Sequence, residues 1–131
     1  MYQTRDKLYT ILMPWEIEYT NEFEGWWDAL TAEDQQSITT AVETLIAEGP
    51  AVTRPWVDTI AMSRHPNMKE LRPRRGHIRI LFAFDPRRTA ILLIGGDKRG
   101  RWKVWYDRMV PLADRLYDDH LATLGREGEL P

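Results

Sequence analysis

The apolar and polar positions in the first half of the chain predict one strand followed by two helices. Residues 15–19 alternate apolar and acidic side chains, as in a half-buried strand. Asn21 and Glu24 then form a capping box. The apolar residues that follow have the spacing of one helix face: Phe23, Trp26, Trp27 and Leu30. Thr31 can cap a second amphipathic helix that ends at Gly49-Pro50. Because almost no loop separates them, the two helices should form a hairpin.

Three strands are predicted in the second half. Residues 50–67 contain three prolines and show no period, which favours a loop. Residues 68–72 could form a short strand, and residues 77–85 alternate clearly. Residues 90–94 are apolar at odd and even positions alike, as in a central strand that is buried on both faces. The Gly95-Gly96 pair should end this strand.

A final helix is predicted near the C-terminus. Apolar residues recur at helical spacing from Trp102, and Pro111 suits the first turn of the last helix. The predicted order is β-α-α-β-β-β-α, an α+β fold without repeats. We expect residues 1–13 to be an N-terminal arm or a start-site extension, residues 14–124 to be one domain, and residues 125–131 to be a frayed tail.

Length and composition exclude several classes of site. A chain of 131 residues with 43% hydrophobic and 29% charged residues fits a single globular domain. The absence of cysteine excludes disulfides, thiolate zinc sites and a cysteine nucleophile. His65, His77 and His120 lack a metal-ligand spacing, so we expect no metal and no cofactor. No apolar run is long enough to span a bilayer, and we expect a cytoplasmic protein.

Charge is distributed very unevenly along the chain. Residues 64–108 hold 13 of the 18 Lys and Arg residues and only four acids, which makes this segment about +9. Residues 1–63 sum to −8 and residues 109–131 to −3, so the net charge of −2 conceals a basic half. Arg and Lys gathered on one part of a fold provide an electrostatic footprint for phosphate backbones.

Four strings in this basic half, in this order and spacing, resemble the RelE/ParE superfamily of type II toxins, most closely its HigB-like, phage-derived branch. They are residues 67–72 (NMKELR), residues 78–85 (IRILFAFD), residues 94–98 (IGGDK) and the Trp102-x-x-Trp105-Tyr106 motif. The resemblance covers residues 14–124. It implies a RelE-like fold, with a twisted antiparallel sheet, an N-terminal helical hairpin and a C-terminal helix. It also implies ribosome-dependent cleavage of mRNA without a metal, and neutralisation by a cognate antitoxin of the helix-turn-helix type.

RNA can be cut without metal because its 2′-OH is a built-in nucleophile. The enzyme must supply a base, cations for the pentavalent phosphorane and an acid for the leaving 5′-oxygen. Arg79 is the first candidate for the phosphate, because alternation places it on the sheet face opposite the hairpin, which we expect to be open. It also matches a phosphate-contacting arginine of the family. His77 shares that face as a titratable group, and Arg72 should lie at a strand end near Arg79.

The resemblance adds two further catalytic candidates. Lys98 matches the basic residue that follows the glycines in RelE-type toxins, with Asp97 inserted, and Tyr106 matches their C-terminal tyrosine. We expect Trp102 and Trp105 to be core residues, although an exposed tryptophan could stack on a base. The remaining cations are predicted to give general RNA binding: Lys69, Arg74, Arg75, Arg99, Arg101 and Lys103.

Some alternatives stay open at this point. Glu70 and Asp107 could act as bases, but an acid in a basic segment usually pairs with arginine. The family's first strand lysines fall on Met68 and Glu70, which leaves an inactive member conceivable. A ParE-like gyrase inhibitor would have the same fold without RNA cleavage, and a non-enzymatic RNA-binding host-inhibition protein would bind without cutting. The sequence leaves the general base, the codon preference and the oligomeric state undetermined.

Overall fold

A computed structural model describes residues 15–130, and the predicted arm of residues 1–13 lies outside them. Within this range the chain forms five strands and three α-helices. They are β1 (Glu16–Tyr19), α1 (Asn21–Asp28), α2 (Ala32–Glu48), β2 (Val57–Thr59), β3 (Met68–Leu71), β4 (Ile78–Phe84), β5 (Thr89–Asp97) and α3 (Trp102–Arg126). The α+β class, the hairpin and the C-terminal helix are as predicted.

The sheet has one strand more than the sequence indicated, and one of its pairs is parallel. Its order is β1-β5-β4-β3-β2. Strand β2 lies in the predicted loop, where three residues next to a proline carry too little pattern to be read as a strand; it pairs antiparallel with β3. Strand β1 pairs parallel to β5, because the helices and strands between them bring the chain back in the same direction. The sheet is therefore mixed and not wholly antiparallel.

Helices cover both faces of the sheet. The hairpin of α1 and α2 packs on one face, where the buried cluster comprises Phe23, Ile38, Ala41, Leu45, Val52, Val57, Leu71, Ile78, Ile80, Phe82, Ala90 and Leu92. Helix α3 packs on the other, where the cluster comprises Ile60, Met68, Leu81, Ala83, Ile91, Leu93, Ile94, Val110, Ala113, Leu116 and Tyr117. The expectation that Arg79 stands on an open face is therefore wrong. Its side chain shares the α3 face and is only 15% exposed.

A β-bulge decides which residues of β5 face α3. Leu81 pairs with Ile94, but Phe82 pairs with Leu92, so the register shifts by one residue between these two positions. After the shift, Gly95 faces the hairpin and Gly96 faces α3. A Cβ atom on Gly95 would collide with the ring of Trp26, and one on Gly96 with the ring of Trp105. The glycine pair does not break β5; it lets two tryptophan rings lie against opposite faces of the strand.

The helix ends differ in detail from the prediction. Thr20, not Asn21, caps α1: its hydroxyl oxygen accepts from the Phe23 N–H at 3.0 Å and donates to the Leu93 carbonyl at 2.6 Å. Thr31 caps α2 as predicted, accepting from the Asp34 N–H at 3.1 Å. Pro111 lies inside α3 and not in its first turn, because the helix already begins at Trp102. No helix within residues 15–130 is long and apolar enough to cross a membrane.

Candidate active site

A buried carboxylate lies at the centre of the residues that the sequence singled out. Strand alternation points Glu70 towards α3, where its side chain is only 2% exposed. Its Oε1 accepts a hydrogen bond from the Tyr106 hydroxyl, and its Oε2 accepts from Arg72 Nε at 2.8 Å. A carboxylate is stable in such a place only when it is paired and hydrogen-bonded. We call Glu70, Arg72, Arg79, Lys98 and Tyr106 the Glu70 cluster.

Three cations converge on this carboxylate. Arg72 bridges Glu70 and Asp58, with Nη2 at 2.7 Å from Glu70 Oε2 and at 3.2 Å from Asp58 Oδ2. Arg79 donates from Nη1 to the Ile78 carbonyl at 2.7 Å, and its Nε lies 3.9 Å from Glu70 Oε1. That buried Nε has no hydrogen-bond partner among the described residues. Arg79 therefore retains donor capacity for a further acceptor.

The third cation, Lys98, lies over the ring of Tyr106, with Nζ 5.5 Å from the ring centroid. Burial lowers the pKa of Lys98, and the charges of Arg79 and Arg72 lower it further, although Glu70 opposes them. Burial also raises the pKa of Tyr106, and the hydrogen bond and charge of Glu70 raise it further. At neutral pH the tyrosine is therefore protonated, and the lysine gives up its proton more easily than an ordinary lysine.

Two tryptophans of α3 flank the cluster in different ways. Trp105 is half-buried and lies on Gly96, the residue opposite Arg79 in the sheet, with its ring 5.0 Å from that of Tyr106. Trp102, which was predicted to be core, is 61% exposed. Its ring meets that of Tyr106 edge to face at a centroid distance of 6.4 Å. Helical spacing was right for both residues, but only Trp105 packs against the buried cluster of the α3 face, whereas Trp102 stays in solvent.

Some predicted site residues do not join the cluster. His77 is exposed. Its backbone carbonyl accepts a hydrogen bond from the backbone N–H of Lys98 at 3.1 Å, but its side chain does not reach the Glu70 cluster. Its ring forms no hydrogen bond or ion pair within the described range. Lys69 lies on the hairpin face, opposite Phe82 in the register, and its Nζ donates to the Thr59 hydroxyl at 3.3 Å. Neither residue is placed to touch a group bound at Glu70.

The predicted RNA-binding cations are mostly occupied by local partners. Four of them have a short contact each: Arg75 Nε lies 2.7 Å from Asp34, Arg99 Nη2 lies 3.6 Å from Asp97, Lys103 Nζ lies 3.3 Å from Asp107, and the Arg74 guanidinium lies 5.4 Å from the Trp56 ring centroid. Arg101 is exposed and forms no ion pair within residues 15–130. Because acids of other segments fold back onto the basic half, its surface is less positive than the +9 of the sequence suggests.

From the sequence, Glu70 was expected to be either a base or an arginine partner, and its position at the centre of the cluster was not predicted. A signal was present: an acid between Met68 and Leu71 in a strand otherwise apolar on that side predicts a buried, satisfied carboxylate. Asp58 was missed together with β2. Within residues 15–130, no three His, Asp or Glu side chains are grouped so that they could hold a metal ion.

A second buried carboxylate lies at the opposite end of the α3 face. The Asp85 side chain is fully buried and accepts from Arg87 Nε at 2.9 Å, from the Arg87 N–H at 2.8 Å and from the Thr89 N–H at 3.3 Å. His120 of α3 lies 2.9 Å from it, and Arg87 also contacts Glu18 at 2.9 Å. We call Asp85, Arg87 and His120 the Asp85 cluster.

Comparison with known proteins identifies the family. Residues 25–118 match the model of the family described as "Phage derived protein Gp49-like (DUF891)". The chain is 51% identical over 102 residues to the "Putative toxin HigB3" of Mycobacterium tuberculosis, an alignment that covers 78% of this chain and 90% of that protein.

Solved structures show the same fold at low sequence identity. The isolated RelE toxin of Escherichia coli is 10% identical with a TM-score of 0.55, covering 72% of this chain and 95% of that one. The archaeal RelE–RelB complex from Pyrococcus horikoshii gives 13% identity and a TM-score of 0.54, covering 68% and 99%. The chain therefore has a RelE-like fold and belongs to the Gp49-like family of phage-derived proteins, and its similarity to HigB3 confirms the predicted HigB-like resemblance.

Proposed function

We propose that this protein is the toxin of a type II toxin–antitoxin system and cleaves mRNA on the ribosome without a metal ion at the reacting phosphate. The observation that carries the proposal is the Glu70 cluster, in which two arginines, a lysine and a tyrosine meet at one buried carboxylate. The similarity to HigB3 supports the toxin role.

The first chemical step is the loss of the 2′-OH proton. Glu70 is too buried to reach the RNA directly, but Tyr106 already donates its hydroxyl proton to Glu70. We therefore assign a relay, in which the 2′-OH proton passes to the Tyr106 oxygen while the Tyr106 proton passes to Glu70. The freed 2′-oxygen attacks the phosphorus, and Tyr106 ends the step protonated, as its raised pKa requires.

The remaining groups act on the phosphorane and on the leaving oxygen. Arg79 and Arg72, whose side chains are partly exposed, stabilise the added negative charge on the phosphate oxygens through their guanidinium groups. Lys98, whose pKa is lowered, donates a proton to the 5′-oxygen as the P–O5′ bond breaks. The products are a 2′,3′-cyclic phosphate and a 5′-hydroxyl. Water then returns the proton of Glu70 to solvent and reprotonates Lys98.

The proposed partners are the ribosome with its mRNA and a cognate antitoxin of the helix-turn-helix type. In the Pyrococcus horikoshii structure, a relative with the same fold is bound to the protein RelB. A chain that cuts cellular mRNA needs such a partner to keep it inactive. Co-expression with the neighbouring gene should therefore restore growth.

The test is expression of the chain with a reporter mRNA, followed by mapping of the RNA ends. We expect cuts phased with codons that disappear when translation of the reporter is blocked. The ends should be 2′,3′-cyclic phosphate or 3′-phosphate. Cuts that leave 3′-hydroxyl and 5′-phosphate ends would overturn the metal-free mechanism. DNA damage signalling without RNA cuts would instead indicate a gyrase inhibitor, and salt-dependent RNA binding without scission a non-enzymatic inhibitor.

The matched control is Arg88→Ala. Arg88 is an exposed arginine of the same basic segment that lies over the Trp15 ring, at 4.3 Å from its centroid, on the β4–β5 turn. It carries the same charge as Arg79 but lies outside the Glu70 cluster. The Arg88→Ala variant should cut at the wild-type rate.

A further inference from the structure

We propose that Trp102 is a stacking platform for one unpaired nucleobase of the RNA, adjoining the scissile phosphate; the proposal rests on the function proposed above. It assigns a base-binding subsite to a residue that the cleavage chemistry does not use. The ligand is a nucleobase of single-stranded RNA, recognised by its π-face.

Trp102 is unusually exposed for a tryptophan of this chain. Its side chain is 61% exposed, more than that of any other large hydrophobic residue among residues 15–130. Phe23, Trp26, Trp27 and Trp105 are buried or half-buried against the sheet, as apolar aromatic side chains usually are. Tryptophan is enriched at interfaces, where one end is apolar and the other wet, so its exposure beside cations is consistent with a binding role.

The ring is held in place although it is exposed. It is one helical turn before Tyr106 on α3 and meets that ring edge to face, at 6.4 Å and an interplanar angle of 70°. The contact fixes one edge of the indole and leaves a face for stacking. Tyr106 is in turn fixed by Glu70. A base stacked on Trp102 therefore meets a surface that is already ordered, which reduces the entropy lost on binding.

The surroundings favour RNA over a protein partner. Lys98 lies over the neighbouring Tyr106 ring, and Arg101, directly before Trp102, is exposed without an ion pair among the described residues. Cations beside an exposed aromatic ring form the usual site for single-stranded nucleic acid. Since Tyr106 is proposed to take the 2′-OH proton at the cut, a base on Trp102 belongs to a nucleotide next to the cut.

The experiment reads stacking directly and does not depend on cleavage. Ribosomes are programmed with short mRNAs whose 2′-O-methyl groups prevent cleavage. Each mRNA carries the fluorescent base 2-aminopurine at one position, either in the A site or next to it. Stacking on an indole quenches 2-aminopurine fluorescence. We expect quenching at one position with wild-type protein and with Trp102→Phe, and its loss with Trp102→Leu, which keeps an apolar side chain without a π-face. Binding of the Trp102→Leu variant should be on the order of tenfold weaker.

The control is Val104→Ala, an exposed apolar residue in the same turn of α3. It should leave both quenching and binding unchanged. Equal quenching by wild type and Trp102→Leu, or none at any position with wild type, would overturn the stacking proposal even if the protein cleaves mRNA. Quenching without cleavage of an unmodified mRNA would keep the stacking site and overturn the nuclease. Loss of antitoxin binding in Trp102→Leu, with quenching intact, would assign Trp102 to the antitoxin interface instead.

Discussion

The two ends of the α3 face each hold a buried carboxylate with an arginine and a side chain from α3. At one end Glu70 contacts Arg72 and Tyr106, and at the other Asp85 contacts Arg87 and His120. Their composition is nearly the same, but their hydrogen bonding differs. Asp85 accepts from two backbone N–H groups as well as from side chains. Glu70 accepts only from side chains.

The surplus of cations distinguishes them further. The Glu70 cluster has three cations against Glu70, with Asp58 at its edge, and residues 15–130 leave one of its buried guanidinium nitrogens without a hydrogen-bond partner. At the Asp85 end, Glu18 and Glu129 also contact Arg87, so carboxylates outnumber the arginine there. A buried ion cluster that is fully satisfied serves the fold, whereas one with unused donors is prepared for an anion from outside. The following predictions test this distinction.

The largest expected effect is on stability, at Asp85. Replacing Asp85 with Ala removes the carboxylate that pairs with Arg87 and His120, both of which stay half-buried. The free energy of unfolding should therefore fall by about 3–5 kcal/mol. Urea denaturation measures the change. The activity of the folded fraction should stay at the wild-type level. An Asp85→Ala variant that is stable but inactive would contradict the structural role.

The pH dependence of the same variant provides its control. Burial alone would raise the pKa of Asp85, but hydrogen bonds from His120 and Arg87 outweigh burial and hold this pKa below its usual value. A carboxylate with a depressed pKa in the folded state stabilises the fold above its unfolded pKa of about 3.9. That stabilisation is lost as the pH falls through the folded pKa. The stability gap between wild type and Asp85→Ala should therefore narrow in acid.

At the other end the larger effect should be on activity. Arg79→Ala should slow mRNA cleavage by about 10²–10³-fold, because it removes a preorganised donor to the phosphorane. Its cost to stability should be about 1–3 kcal/mol, since the hydrogen bond to the Ile78 carbonyl and one cation near Glu70 are lost while Arg72 still pairs with Glu70. Cleavage rates on programmed ribosomes and thermal unfolding give the two values. A variant that is unfolded, or as active as wild type, would contradict the assignment.

The sequence allowed much of this site to be predicted, because periodicity and family strings act locally. Arg72, Arg79, Lys98 and Tyr106 were all candidates, and the structure places them together. The hairpin and the long strands followed from apolar spacing. Their roles in cleavage remain proposals.

Long-range features escaped prediction. The burial of the Arg79 face depends on α3 returning over the sheet, and the pairing of Arg75 with Asp34 joins segments far apart in sequence. The bulge in β5 changes which face of the sheet Gly96 points to, and no local sequence pattern encodes this bulge. Trp102 has the same helical spacing as Trp105 but lies outside the contact between α3 and the sheet, which spacing alone does not reveal.

The adjacent glycines provide a smaller, matched pair of changes. A Cβ atom on Gly95 displaces Trp26 on the hairpin face, and one on Gly96 displaces Trp105 beside Arg79 and Tyr106. Each alanine should cost about 1–3 kcal/mol of stability through overpacking. Only Gly96→Ala should also reduce cleavage by the folded fraction, because Trp105 packs against Tyr106. Denaturation measures the stability of each variant, and ribosome assays measure its cleavage rate. Equal loss of activity in both variants would show that the loss comes from general destabilisation and not from Tyr106.

The smallest expected effect concerns the alkaline side of the pH profile, and it tests Lys98, which has no counterpart at the Asp85 end. Burial and the charges of Arg79 and Arg72 lower the pKa of Lys98, so its ammonium loses its proton at a lower pH than an ordinary lysine. If this proton goes to the leaving oxygen, cleavage should decline as the pH rises through that lowered value.

The Lys98→Arg variant keeps the positive charge of its side chain throughout, because guanidinium titrates above about pH 12. At neutral pH the arginine variant should be slower, since guanidinium is a poor proton donor, but its rate should stay flat between about pH 8 and about pH 10. Single-turnover cleavage across this range measures both profiles, and an identical decline in the two would remove Lys98 from the proton transfer.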